Sequence, residues 1–146
     1  MRRTAIALQV LVLTACADSA RVSPADAIRT MLEGSAEAWN AGDFDGFMAS
    51  YAADSATTFV GYRELVHGYD AIRANYAPLF EEGAQRDSLR FDDMDIRVID
   101  PLHAVAYARW VMVRNGDAWR SGPFTLVLEF RAGAWRIIHD HSSTED

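Results

Sequence analysis

The chain contains no lysine: all 14 of its basic residues are arginine. They are scattered and form no patch, which fits a bias of genome composition rather than a binding surface. With 21 acidic residues against them the formal charge is −7. That balance excludes nucleic acid as a partner, because its phosphates need a basic stripe. Cysteine occurs once, at Cys16, so no disulfide can form within the chain. No apolar run is long enough to span a membrane; Ala5 to Leu13 is short and interrupted by Gln9. Internal repeats, low-complexity tracts and interdomain linkers are missing too, which leaves a single domain.

What is present suits such a domain: 146 residues, half of them hydrophobic, can bury a real core. Ahead of it, Arg2 and Arg3 followed by the apolar run read as a secretory signal. The signal ends in Leu13-Thr14-Ala15-Cys16, which resembles the bacterial lipobox, whose cysteine is lipidated and becomes the mature N-terminus. Ordinary cleavage after the small residues Ala15-Cys16-Ala17 is the alternative. The preferred reading makes residues 1–15 a lipoprotein signal, 16–23 a tether and 24–143 the domain. The protein is then exported and held at the bacterial cell envelope through lipid on Cys16.

Ser23-Pro24 marks a helix start, and Ile28, Met31, Leu32, Ser35 and Trp39 recur on one face of that helix. Asn40-Ala41-Gly42-Asp43 closes it and caps a second, with Phe44, Phe47, Met48 and Tyr51 inward. Ala56 to Val60 reads as a short strand, followed by an irregular link through Gly61 and Gly68. Tyr69 to Glu82 reads as a third helix, with Ile72, Tyr76, Leu79 and Phe80 inward and a kink at Pro78. From Ser88 the period becomes two, with a bulge suggested at Asp92-Asp93. The stretches 103–113, 124–130 and 134–142 follow as strands. Helices first and strands afterwards indicate an α+β domain with an antiparallel sheet.

Two hairpin turns allow the strand register to be counted. Asn115-Gly116 suits a type I′ turn and sets Val113 opposite Ala118. With no bulge, Tyr107 then faces Phe124 and Val105 faces Leu126. Ala132-Gly133 sets Phe130 opposite Trp135, Leu128 opposite Ile137, Leu126 opposite His139 and Phe124 opposite His141. On this count Tyr107, Arg109, His139 and His141 share the inner face with Phe124, Leu126, Leu128, Phe130, Trp135 and Ile137. Trp110, Met112, Glu129, Arg136 and Asp140 fall on the other, where Glu129 and Arg136 face each other as an ion pair. With both faces substantially apolar, one should pack on the helices and the other on a second subunit.

The stretch Ala38-Trp39-Asn40-Ala41-Gly42-Asp43-Phe44-Asp45-Gly46-Phe47 resembles the first two helices of the SnoaL-like branch of the nuclear-transport-factor-2-like superfamily. Tyr51 to Ala56 and Gly68 to Arg73 continue the likeness. The ending Trp135-Arg136-Ile137-Ile138-His139-Asp140-His141-Ser142 is similar to the last strand of members of unknown function. It is similar also to the association domain of calcium/calmodulin-dependent protein kinase II. The resemblance covers about residues 25 to 143 and implies a strongly curved sheet wrapped as a cone around three N-terminal helices. A pocket inside and a dimer interface outside belong to that picture. Ketosteroid isomerase shares the superfamily, but Ser35, Phe59 and Leu126 fall at its three catalytic positions. Its reaction is therefore not expected here. Tyr107-Ala108-Arg109 matches the segment that carries a pocket arginine in the kinase association domain.

These residues point to a site within the cone. Arg109 would meet an acidic ligand or, alternatively, pair internally with Glu33, Glu37 or Asp54. His139 and His141 could line the pocket, act as acid or base, or chelate a metal; no spacing supplies a third ligand. No metal or cofactor is assigned. Trp39, Phe59, Leu126 and Trp135 would be apolar walls, while Asp140 points away. The leading expectation is a lipid-anchored, homodimeric domain binding a small, partly apolar molecule that can be acidic. A proton-transfer enzyme of isomerase, cyclase or dehydratase type, using a pocket histidine, is the second reading. An assembly module with a vestigial pocket is the third.

Overall fold

The computed structural model describes residues 22–61 and 64–145. The signal segment and Cys16 lie outside the described residues.

Helix α1 (Pro24–Ala41) starts where expected, with the Ser23 side chain accepting from the Asp26 amide. It stops at Gly42, whose φ of 77° lets its N–H turn back to the Ala38 and Trp39 carbonyls. Ile28, Leu32, Ser35, Ala36 and Trp39 form its buried stripe. Helix α2 (Phe44–Met48) is capped by Asp43, whose carboxylate accepts from the Gly46 amide. Strands β1 (Thr58–Val60) and β2 (Leu65–His67) form an antiparallel pair, so the link expected there contains a strand of its own. Helix α3 (Tyr69–Tyr76) runs into a single 3-10 turn (Ala77–Phe80), since Pro78 cannot extend an α-helical ladder. Ile72 is fully buried as expected, whereas Leu79 is 41% exposed because the tighter turn rotates it outward.

Strands β3 (Ser88–Asp100), β4 (His103–Arg114), β5 (Asp117–Arg131) and β6 (Ala134–Ser142) complete a six-stranded sheet ordered β2-β1-β6-β5-β4-β3. Its neighbours are antiparallel except β1 and β6, which run parallel. The result is an α+β domain whose sheet, of the expected strands plus β2, is mixed rather than wholly antiparallel. Both tight turns form with positive φ at both central residues: 54° and 91° at Asn115-Gly116, 49° and 82° at Ala132-Gly133. The irregularity in β3 falls where Asp92-Asp93 suggested it, with Asp93 at a φ of 56°.

The register departs from the count at two places. Val113 does face Ala118, but Met112 then faces Arg120, leaving Trp119 as an extra residue in β5. Leu128 does face Ile137, but Val127 then faces His139, leaving Ile138 as an extra residue in β6. Each bulge turns every later side chain to the other face. Ala108 therefore faces Phe124 and Ala106 faces Leu126, and these four are buried. Across the next pair, Leu126 faces Asp140 and Phe124 faces Ser142. The inner face is thus carried by Ala104, Ala106, Ala108, Trp110 and Met112 of β4, in place of Val105, Tyr107 and Arg109. Glu129 and Arg136 are partners in register, yet no ion pair joins them. Glu129 binds Arg131 instead (2.6 Å), and Arg136 donates to the Trp135 carbonyl.

Candidate functional site

The small side chains of β4 and the curvature of the sheet leave a cavity of about 420 Å³ between α1, α2 and the inner face. Trp39, Phe47, Phe59, Tyr76, Phe124 and Leu126 supply much of its wall. The rings support one another edge to face: Trp39 against Phe47 at 5.2 Å, and Phe47 against Tyr76 at 5.0 Å. Trp39 is anchored by its indole N–H, which donates 2.9 Å to the Asp87 carbonyl. Ser35 satisfies its hydroxyl on the Leu32 carbonyl and presents little polarity to the space.

Asp140 supplies the polar end. Its side chain is buried in the cavity wall, and both carboxyl oxygens accept hydrogen bonds. Tyr51 Oη donates to Oδ2 at 2.7 Å, and Ser142 Oγ donates to Oδ1 at 2.7 Å. Tyr76 Oη stands 3.5 Å from Tyr51 Oη and prolongs the chain into the aromatic wall. Burial pushes the Asp140 carboxyl up from its ordinary value; the bonds from Tyr51 and Ser142, and then His139 and His141, offset part of that rise. Burial foremost, then the nearby Asp140, pushes both phenols up. Tyr51 and Tyr76 are thus neutral donors throughout the physiological range. A carboxyl held this way can exchange a proton with a bound molecule or receive its hydroxyl.

The residues singled out from the sequence divide into two groups. Trp39, Phe59 and Leu126 line the cavity as apolar walls. Trp135 is buried but packs on Phe130 at 5.5 Å and is not among the residues lining the cavity. Tyr107, Arg109, His139 and His141 are on the outer side of the sheet, because the two bulges reverse the faces on which they were counted. Tyr107 is 41% exposed. Arg109 is neither a cavity residue nor a partner of Glu33, Glu37 or Asp54; it pairs with Glu145 of the C-terminal tail. Asp54 instead holds Arg131 at 3.1 Å. His139 Nδ1 shares a 2.7 Å hydrogen bond with Thr58 Oγ1, and His141 is exposed. Among the described residues no group of three or more His, Cys, Asp or Glu is arranged to hold a metal ion. Asp140, Ser142 and the role of Tyr51 were not legible as site features.

Residues 28–145 match the family model of the SnoaL-like domain. The chain belongs to the SnoaL-like family. This SnoaL-like chain is also similar to a solved NTF-2 like protein of unknown function from Shewanella oneidensis, at 30% identity and a TM-score of 0.76. That likeness covers 83% of this chain and 99% of the other. A putative calcium/calmodulin dependent protein kinase II association domain from Xanthomonas campestris shares the fold at 19% identity and a TM-score of 0.65. There the coverage is 84% of this chain and 89% of that one. An NTF2-like superfamily protein from Salmonella enterica does so at 20% identity and a TM-score of 0.62, covering 85% and 94%. No curated protein matches the SnoaL-like chain significantly.

Proposed function

We propose that this SnoaL-like domain binds a small, largely apolar molecule in its cone, with a hydroxyl or carbonyl group of that molecule set against Asp140 and Tyr51. The observation that carries the reading is the Tyr51–Asp140–Ser142 hydrogen-bonded group at one end of an aromatic-walled cavity. A few convergent polar atoms in a mostly apolar concavity is how small-molecule sites are generally built. Native mass spectrometry of the purified protein tests it. The expected result is a bound small molecule that is released on denaturation and lost in Leu126→Trp, whose indole fills the space. Retention of the same molecule by Leu126→Trp would overturn the reading.

One observation favours a catalytic variant of the same site. A buried carboxyl with an upward-shifted pKa is a candidate acid or base, so Asp140 would take the role first given to a histidine. Tyr51 would then hold the carboxyl in place and steady negative charge developing beside it. The open volume and its polar end weigh against a vestigial pocket in an assembly module. In the same reading the domain is exported, tethered to the bacterial cell envelope through lipid on Cys16, and paired with a second copy through the outer face of the sheet. Exposed Tyr107 on that face supports the pairing.

A further inference from the structure

The charges around the cavity are unevenly placed. Tyr51, Asp140, Leu126 and Ser35 are all 5% exposed or less and form its deep end. Leu79, Gln85, Trp119 and Arg120 are exposed and form its mouth. Three charged side chains belong to the mouth side: Arg86, Asp87 and Arg120. Asp87 is already committed, since Arg114 holds both its oxygens at 2.8 Å and the Trp119 indole donates at 3.0 Å. Neither arginine has a carboxylate partner among the described residues. Arg86 is fixed by the backbone, donating from Nε to the Trp39 carbonyl at 2.8 Å and from Nη1 to the Leu79 carbonyl at 3.1 Å. The Arg120 side chain makes no hydrogen bond among the described residues, and its guanidinium lies 6.0 Å from the centre of the Trp110 ring, itself a cavity wall. A chain with a net charge of −7 thus presents two uncompensated cations at the opening of its apolar cavity.

We infer that the molecule bound in the cone is an amphipathic anion, its apolar body inside and its carboxylate at the mouth against Arg120 and Arg86. This rests on the cavity being a binding site and adds the class of ligand and its direction of entry. The orientation follows from charge. A carboxylate driven to the deep end would meet the Asp140 carboxyl in a dry environment, whereas at the mouth it stays partly hydrated and finds two guanidinium groups. The rest of the ligand would then bury against Trp39, Phe59 and Phe124. Arg109 has no part in this recognition, being held by Glu145 on the other side of the sheet.

Isothermal titration with a matched pair of probes, biphenyl-4-carboxylate and the neutral biphenyl-4-carboxamide, tests the inference. The expected result is a carboxylate bound about three to five times more tightly than the amide, the size usual for an exposed ion pair. Arg120→Gln should shrink that preference, leaving Arg86 as the remaining cation at the mouth. Raising salt to about 0.5 M should shrink it in the unaltered protein, because exposed charges are screened. Arg97→Gln, an exposed arginine on the outer face opposite Val105, should leave the preference intact. Equal binding of the two probes, or a preference undiminished in Arg120→Gln, overturns the anionic assignment while the cavity reading stands. Failure of both probes to bind, or binding that persists in Leu126→Trp, removes the cavity reading and this inference with it.

Discussion

Tyr51 and Asp140, 89 positions apart in sequence, meet in a 2.7 Å hydrogen bond beneath the sheet. Backbone pairing brings them together: the Ala52 amide donates to the Ile137 carbonyl, and the Ile137 amide donates to the Ser50 carbonyl. The chain leaving α2 is thereby stitched to β6, so the phenol can reach the carboxyl only if the sheet closes in this register.

Burial raises the Asp140 pKa in the folded state, so the unfolded chain ionises first as pH climbs. Stability from this group is complete below the ordinary aspartate value and falls away as pH rises toward the folded value. Asp140→Asn abolishes the titration. Urea unfolding at pH 4 and pH 8 should show the variant gaining stability relative to the unaltered protein at the higher pH. A constant difference between the two proteins would mean that Asp140 is not held with an elevated pKa.

Asn40 acts as an extra rung of the sheet, its Nδ2 donating to the Leu89 carbonyl at 2.8 Å and its Oδ1 accepting from the Leu89 amide at 2.7 Å. Asn40→Ala leaves both backbone groups of Leu89 unpaired and should cost about 1–3 kcal/mol. Thermal unfolding checks this, with Asn40→Asp as a partial rescue because it still accepts from the amide.

Gly122 is a close-approach glycine. A methyl there would collide with the carbonyl of Ser143, which also accepts a 2.9 Å bond from the Trp110 indole. Gly122→Ala should lift the tail and cost roughly 1–3 kcal/mol through overpacking. Hydrogen exchange at the Ser143 and Glu145 amides, now bonded to the Pro123 and Ser121 carbonyls, should quicken. Unchanged exchange at both would contradict the packing described.

Leu126 is 3% exposed and borders the cavity. Leu126→Ala enlarges existing space rather than opening a new hole, and should cost about 2–5 kcal/mol as other leucine truncations do. The same variant should accept a bulkier biphenyl probe than the unaltered protein. Arg109→Ala and His141→Gln, both on the outer side, should leave probe affinity unaltered.

Much of the architecture could be read from side-chain chemistry. Ser23-Pro24, Gly42 and Asn115-Gly116 each favour one local backbone shape, Asp92-Asp93 breaks the alternation around it, and each feature appears where it was expected. The inner face could not be read the same way. At Ile137-Ile138 the extra residue repeats the one before it, and around Trp119 the exposed run Asp117–Arg120 has no inward-outward alternation to interrupt, so neither slip leaves a sign in the pattern. In His139-Asp140-His141-Ser142 polar groups occupy both parities, and burial of one or the other depends on that slip alone. Trp39, Phe59 and Leu126 reached the cavity walls, two of them because helix and short-strand positions are untouched by the bulges. Leu126 lies in β5 itself, between the two slips, and its own partner there is Asp140 rather than His139.

The place of β6 between β1 and β5 bears on how the molecule comes into being. It is synthesised after every other strand, yet it is the one that joins the β1–β2 pair to the rest of the sheet. A nascent chain still waiting for Ala134–Ser142 can make its helices and the β3–β4–β5 meander, but not the hydrogen bonds that anchor Ser50, Ala52 and β1. Completion of the cavity therefore waits for β6, and the Tyr51–Asp140 contact can form only after Ala134–Ser142 has joined the sheet.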